Sequence, residues 1–213
     1  QFIAASGRQY YSIVDRFEDI KDEITIIAEN GAFAKHGDQE LFSTELPFES
    51  ISKSINILRK LNNVYIVLCG KNAAYIETTD EKFINMFKNY YSEYRIVNNL
   101  NDIKEDTFFK IAAYHFDCSE THIYPAVKHL ENELQVIVSG EHWLDISHSN
   151  ANKGFAIHLL QQKYDRVKLW QVIHQHNQHE QGVSYNFFLL RLAFQFFWVT
   201  ILIRVSTHKL RFY

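Results

Sequence analysis

Three short segments of this chain carry residue types suited to gripping an anion. Ala5-Ser6-Gly7-Arg8 directly follows an apolar run, Phe2 to Ala5. A hydroxyl followed by glycine at the carboxyl end of a strand can hold a phosphate oxygen. The hydroxyl donates one hydrogen bond, and the glycine lets a backbone N–H approach closely. The same four residues also fit an ordinary strand-to-helix turn. Asn150-Ala151-Asn152-Lys153-Gly154 stands where a helix should begin. A lysine there opposes the helix dipole, yet it can neutralise a phosphate or a carboxylate at a sheet edge. Glu29-Asn30-Gly31-Ala32 ends a second apolar run. Asn-Gly is usually a turn, but at the carboxyl end of a parallel strand it would lie beside Ser6.

The elements that must position these residues follow from periodicity. Phe2 to Ala5 reads as a buried parallel strand, and Tyr10, Ile13, Val14 and Phe17 recur at helical spacing. Glu23 to Ala28 reads as the next strand, so the order is βαβ and a parallel sheet is predicted. Leu41 to Leu46 leads away to a boundary at Pro47. Beyond it, Ile51, Ile55 and Leu58 mark a helix face, and Val64 to Leu68 and Ala73 to Thr78 read as strands. Asp80 is placed to cap a helix through Phe83, Met86, Phe87 and Tyr90. Further strands are expected at Thr107–Tyr114, 134–138 and 143–146, with a helix opening at Ser119. This middle region is an α+β module inserted between parallel-sheet segments. Gly154 to Lys163 returns to a helix.

Composition sets the outer bounds. Hydrophobic residues make up 46%, charged residues 22%, and the net charge is −3. That balance fits a globular protein and excludes a general nucleic-acid binder. Two cysteines, Cys69 and Cys118, imply no disulfide framework; both are expected as small core residues in a reducing, cytoplasmic setting. No GxGxxG, Walker loop or paired CxxC occurs. The opening run lacks the charged flank of a signal peptide and reads as a strand already under way, so upstream sequence is expected.

Taken together and in order, FIAASGRQYYSIVDRF, DEITIIAENGAF and LDISHSNANKGFAIHLLQQKYD resemble the second- and third-motif regions of Cof-type sugar phosphatases in the haloacid dehalogenase superfamily. The resemblance covers about residues 1–166. It implies an α/β fold, a Rossmann-like parallel-sheet core with an inserted α+β cap. The core would take residues 1–45 and 143–213, and the cap 46–142. It also implies Mg²⁺-dependent hydrolysis of a small phosphorylated sugar through a phosphoaspartyl intermediate. By the same resemblance Ser6 and the Gly7 amide bind the phosphoryl group. Lys153 is the catalytic lysine that steadies nucleophile and phosphate charge. Arg8, Asn30 and Asn152 would lie near the substrate, under a closing cap.

Two departures accompany the match. The DxDGT motif that supplies the family's nucleophile does not occur, and the GDxxND region reads VKLWQVIHQHNQHEQGVSYN, with Glu180 its one carboxylate. Imidazoles and amides are poor Mg²⁺ ligands, so no metal ligand is expected from this chain and no acyl phosphate should form. A truncated product with an aberrant tail from about residue 167 is the expectation. The alternatives are a non-catalytic phosphate- or sugar-binding remnant, or membrane association through residues 187–203. That run is short of a span and contains Arg191 and Gln195, so no membrane role is expected. His174, His176 and His179 are read as coincidence rather than a zinc site, and His148 as a polar loop residue.

Overall fold

The computed structural model describes residues 2–163 and three later strands at 170–173, 204–206 and 209–211. In chain order the elements are β1 (Phe2–Ala5), α1 (Tyr10–Val14), β2 (Thr25–Ala28), β3 (Phe33–His36), β4 (Gln39–Ser43), α2 (Phe48–Leu58), β5 (Val64–Gly70), β6 (Ala74–Ile76), α3 (Glu81–Phe87), β7 (Tyr94–Ile96), β8 (Phe108–His115), α4 (Ser119–His122), α5 (Tyr124–Val127), β9 (Leu134–Val138), β10 (Trp143–His148), α6 (Lys153–Lys163) and β11 (Trp170–Ile173). A short hairpin, β12 (Arg204–Ser206) and β13 (Lys209–Arg211), comes last.

The first sheet runs β11-β1-β2-β3-β4. Its β11, β1 and β2 are parallel, and β3 and β4 add an antiparallel hairpin. This is the expected Rossmann-like α/β core, with the hairpin 33–43 in place of a segment that simply leads away. Ile3, Ala5, Ile27 and Ala34 pack under Ala156 and Leu160 of α6, and Ala4, Ile13, Ile24 and Ile26 fill the other face. Parallel strands buried on both faces read as continuous apolar runs, which is why β1 and β2 were legible.

The second sheet runs β7-β6-β5-β8-β10-β9 and is antiparallel except for β6 with β7. One face packs on α2 and α5 through Ile51, Ile55, Leu58, Ile111 and Val127. The other carries an aromatic layer of Phe83, Phe87, Tyr91, Tyr114 and Trp143 beneath α3. Asp80 caps α3 as expected, accepting from the amides of Lys82 and Phe83.

One boundary differs from the sequence reading. Strand 143–148 pairs with β8 and β9, so it belongs to the antiparallel sheet rather than to the core as the break at 142/143 had it. An apolar strand does not reveal which sheet it joins, because pairing is a tertiary choice. β11 lies beyond Arg166 and pairs in parallel with β1, so the core sheet uses part of the stretch where composition changes. Cys69 is buried as expected, whereas Cys118 is only half-buried and receives a hydrogen bond from Thr121. No helix among the described residues is long and apolar enough to cross a membrane. The histidines 174, 176 and 179 and the run 187–203 lie outside the described residues.

The two sheets meet through Phe33 of β3 and Phe109 of β8, both buried, whose rings stack at 5.1 Å with Ala32 and Ala151 beside them. Phe109→Ala should open a cavity at this seam and cost about 3–5 kcal/mol, read as a lower urea midpoint. A change within about 0.5 kcal/mol, ordinary for a surface site, would show that the seam is not packed as described.

Candidate functional site

The parallel strands β1 and β2 end side by side, with Ala5 in register with Ile27. Their carboxyl ends therefore deliver Ser6 and Glu29 to one rim. The amide of Ser6 donates to Ile27 O at 2.9 Å, and the amide of Glu29 donates to Arg8 O at 3.0 Å. These two bonds lock the Ser6–Arg8 loop onto the Glu29–Gly31 turn. Arg8 N–H also donates to Ser6 Oγ at 3.2 Å.

The Glu29–Gly31 turn is strained. Glu29, Asn30 and Gly31 all have positive φ, at 48°, 60° and 106°. Only glycine adopts such angles freely. The turn brings three pieces into contact. A Cβ on Gly7 would lie 2.3 Å from Asn30 Oδ1, and one on Gly31 would lie 2.5 Å from the Asn152 carbonyl and 2.7 Å from Lys153 N. Ser6-Gly7, Asn30-Gly31 and Asn152-Lys153 thus form one continuous rim, as the three sequence segments required.

Lys153 opens α6. Its ammonium has no carboxylate within ion-pairing distance among the described residues. Burial, and then the neighbouring Lys110 ammonium, pull its pKa below the usual lysine value, with only Asp145 acting the other way. A lysine so placed gains from an added anion. Asn152 caps α6 from this rim: its Oδ1 accepts the Phe155 amide at 2.8 Å. Asn30 Nδ2 donates to Asp145 Oδ2 at 2.7 Å. Arg8 turns towards the second sheet, donating to Asn89 O at 3.1 Å with its guanidinium 5.2 Å from the Tyr90 ring centre. His148 ends β10 rather than lying in a loop, and its Nδ1 accepts the Asn150 amide at 3.1 Å.

Two charged residues at this rim, Lys110 and Asp145, were missed from the sequence, and Glu29 was placed here only as part of its turn. Lys110 of β8 is 3% exposed, and its Nζ donates to Gly7 O at 2.7 Å. It also pairs with Glu29 Oε2 at 3.2 Å and Asp145 Oδ2 at 3.7 Å. Burial works to discharge this ammonium, but Asp145 and then Glu29 outweigh it and hold it protonated. One cation shared by two carboxylates does not compensate both. Glu29, fully buried, is pushed above the ordinary carboxyl pKa, burial outweighing Lys110, and its Oε1 has no hydrogen-bond partner among the described residues. The available signal was a lone lysine inside the apolar strand FFKIAAYH, since a buried charge must be paired. Gln9 was missed as well. It is buried and bonds Glu93 O, Ser92 N and Glu93 N, stitching the loop to the second sheet.

Mg²⁺ does not fit the carboxylates gathered here. It needs hard anionic oxygens in near-octahedral array, and Glu29 and Asp145 both face the Lys110 ammonium.

Residues 1–174 match the sequence profile of the haloacid dehalogenase-like hydrolases. Among curated proteins, the 5-amino-6-(5-phospho-D-ribitylamino)uracil phosphatase YbjI of Escherichia coli K12 is 28% identical over 172 residues, which is 80% of this chain and 61% of that protein. The chain thus spans about three fifths of the length of that curated relative. The solved structure of SMU.1108c from Streptococcus mutans UA159 shares the fold, with a TM-score of 0.69, 22% identity, and coverage of 81% of this chain and 66% of that one. The sugar phosphatase BT4131, of haloacid dehalogenase subclass IIB, superposes with a TM-score of 0.62 at 12% identity, over 78% and 63% of the two chains.

Two measurements check this geometry. Gly31→Ala must force either the positive φ or the approach to Asn152, and should destabilise the fold by about 1–3 kcal/mol; an unchanged melting temperature would contradict the close approach. Glu29 has a raised folded-state pKa, so its contribution to stability is full below the ordinary carboxyl pKa and is lost as pH rises through the folded value. The melting temperature of Glu29→Gln relative to the parent should therefore rise as pH is raised above the ordinary carboxyl value. A flat difference would mean that Glu29 ionises without penalty.

Proposed function

Because the chain belongs to the haloacid dehalogenase-like hydrolases, we propose that its Ser6–Gly7–Lys153 rim binds the phosphoryl group of a small phosphorylated sugar or sugar alcohol, and that the intact parent hydrolyses such phosphomonoesters. The observation that carries this reading is the half-buried Lys153 ammonium, which lacks a carboxylate partner among the described residues and stands at a helix N-terminus with Ser6 and Gly7 on the same rim. The Lys153 ammonium, with no carboxylate in ion-pairing distance among the described residues, puts a positive charge at this rim in a partly dry site, while the charge of Lys110 is offset by Glu29 and Asp145.

The roles divide by chemistry. The Ser6 hydroxyl donates to one phosphoryl oxygen, and the Gly7 amide can approach a second because no Cβ intervenes. Lys153 neutralises charge on a third. In phosphoryl transfer, positioning and charge neutralisation supply most of the rate, so these groups serve binding and catalysis alike. That YbjI is a phosphatase of a phosphoribityl compound and BT4131 a sugar phosphatase supports a phosphorylated polyol or sugar as the substrate class. The antiparallel module, joined to the rim by Gln9 and Arg8, would cover the sugar. The free cysteines support a reducing compartment such as the cytoplasm.

The sequence Asp-x-Asp occurs nowhere in these 213 residues. The chain is therefore expected to bind phosphate without turning over a phosphomonoester, whereas the resemblance implies Mg²⁺-dependent turnover for the intact parent. With Glu29 and Asp145 engaged by Lys110, millimolar Mg²⁺ should leave phosphate affinity unchanged.

Isothermal titration of the chain with inorganic phosphate, beside a hydrolysis panel of sugar phosphates, tests the reading. Binding should be detected and hydrolysis should stay at background. Lys153→Met should weaken binding about tenfold or more, the worth of a charge-assisted hydrogen bond. No phosphate binding, or binding indifferent to Lys153→Met, would overturn the proposal.

A further inference from the structure

The structure assigns to Lys110 a positioning role: it orients the Ser6 hydroxyl through a single peptide group. The inference rests on the rim being a phosphoryl site, and it adds a residue from the antiparallel sheet to that site's machinery.

The geometry runs through the Gly7–Arg8 peptide. Its carbonyl accepts from Lys110 Nζ at 2.7 Å, and its N–H donates to Ser6 Oγ at 3.2 Å. All peptide bonds described are trans, so carbonyl and N–H point in opposite directions and their dipoles align in one chain. An ammonium on the carbonyl polarises the peptide and strengthens the N–H as a donor. The N–H then occupies one lone pair of Ser6 Oγ. A hydroxyl has one proton and two lone pairs. With the N–H side taken by a donor, the proton points away from the peptide. Among the described residues the Ser6 hydroxyl has no acceptor of its own, so its proton is kept for a ligand.

Lys110 itself has no freedom to do otherwise. Its ammonium donates to Gly7 O at 2.7 Å and is held in ion pairs with Glu29 Oε2 at 3.2 Å and Asp145 Oδ2 at 3.7 Å. Glu29 follows β2 and Asp145 lies on β10, so the lysine is held from both sheets at once. Asp145 and Glu29 offset its charge, so it adds little net attraction for an anion at the rim. That separates it from Lys153, whose charge no carboxylate pairs with among the described residues. Lys110 acts by direction, Lys153 by charge.

Removing Lys110 alone would leave a buried carboxylate unpaired, so the informative variant is Lys110→Met combined with Glu29→Gln. Glu29→Gln alone, which keeps the lysine on the Gly7 carbonyl, is its control. The first readout needs no ligand: the Arg8 amide proton in ¹⁵N-labelled protein should move upfield in the double variant and hold its position in the control. The second is the dissociation constant for inorganic phosphate. The double variant should bind about three- to tenfold more weakly, as should Ser6→Ala. Adding the double change to Ser6→Ala should cost nothing further. Should the double variant fail to fold, Lys110→Arg keeps a buried cation and must shift the Arg8 amide in the same direction.

An Arg8 amide that stays in place in a folded Lys110 variant overturns the relay, as do penalties that add in full on the Ser6→Ala background. If the parent chain binds no phosphate, the phosphoryl-site reading falls, and the Arg8 shift still decides whether the relay exists.

Discussion

One buried ammonium holds the candidate site together. Lys110 stands almost dry between two sheets, with a carboxylate from each and a backbone carbonyl as its partners. A charge removed from water is tolerated only when its partners are in place. None of the three is adjacent to it in sequence, and Gly7 is 103 residues away. The cluster therefore forms only when β8 of the antiparallel sheet has docked against the ends of β1 and β2. Docking also requires the Phe33–Phe109 stack and the Gln9 bonds, so the geometry of the rim and the seating of the second sheet are a single condition.

Strain is the second ingredient. Three consecutive residues with positive φ are not what Glu29-Asn30-Gly31 would adopt in isolation. The turn persists because neighbours over-determine it. Glu29 is held by Lys110 and by the Arg8 carbonyl, Asn30 by Asp145, and Gly31 by the start of α6. In return, the turn sets the spacing between the Ser6 loop and Lys153. A more relaxed turn would separate the two halves of the rim.

Charge accounting then distinguishes the two lysines. Lys110 is offset by Asp145 and Glu29 and so serves geometry. Lys153 is uncompensated among the described residues, half-buried, and set where a helix dipole opposes it. Such a position is unfavourable for a purely decorative lysine and favourable for one that meets an anion. The same accounting explains the poor fit for a divalent cation: the carboxylates at this rim are already committed to the ammonium that orients the loop.

Much of this was written in short-range pattern. The apolar runs at 2–5 and 25–28, the cap at Asp80 and the helix after Lys153 depend on neighbours within a few residues, and so do the hydroxyl-glycine loop and the Asn-Gly turn. Local propensity and periodicity suffice to place them. The resemblance of their order to a hydrolase family followed from the same segments. Other features were decided only by the folded chain: the allegiance of strand 143–148 to the antiparallel sheet, the use of Asn152 as a cap, and the turning of Arg8 towards Asn89. The Lys110–Glu29–Asp145 cluster belongs with them. The physical reason is that strand pairing and buried charge pairing are bonds between distant segments. A lysine in an apolar strand announces that a partner must exist, but only the docking of the two sheets determines which partner it is.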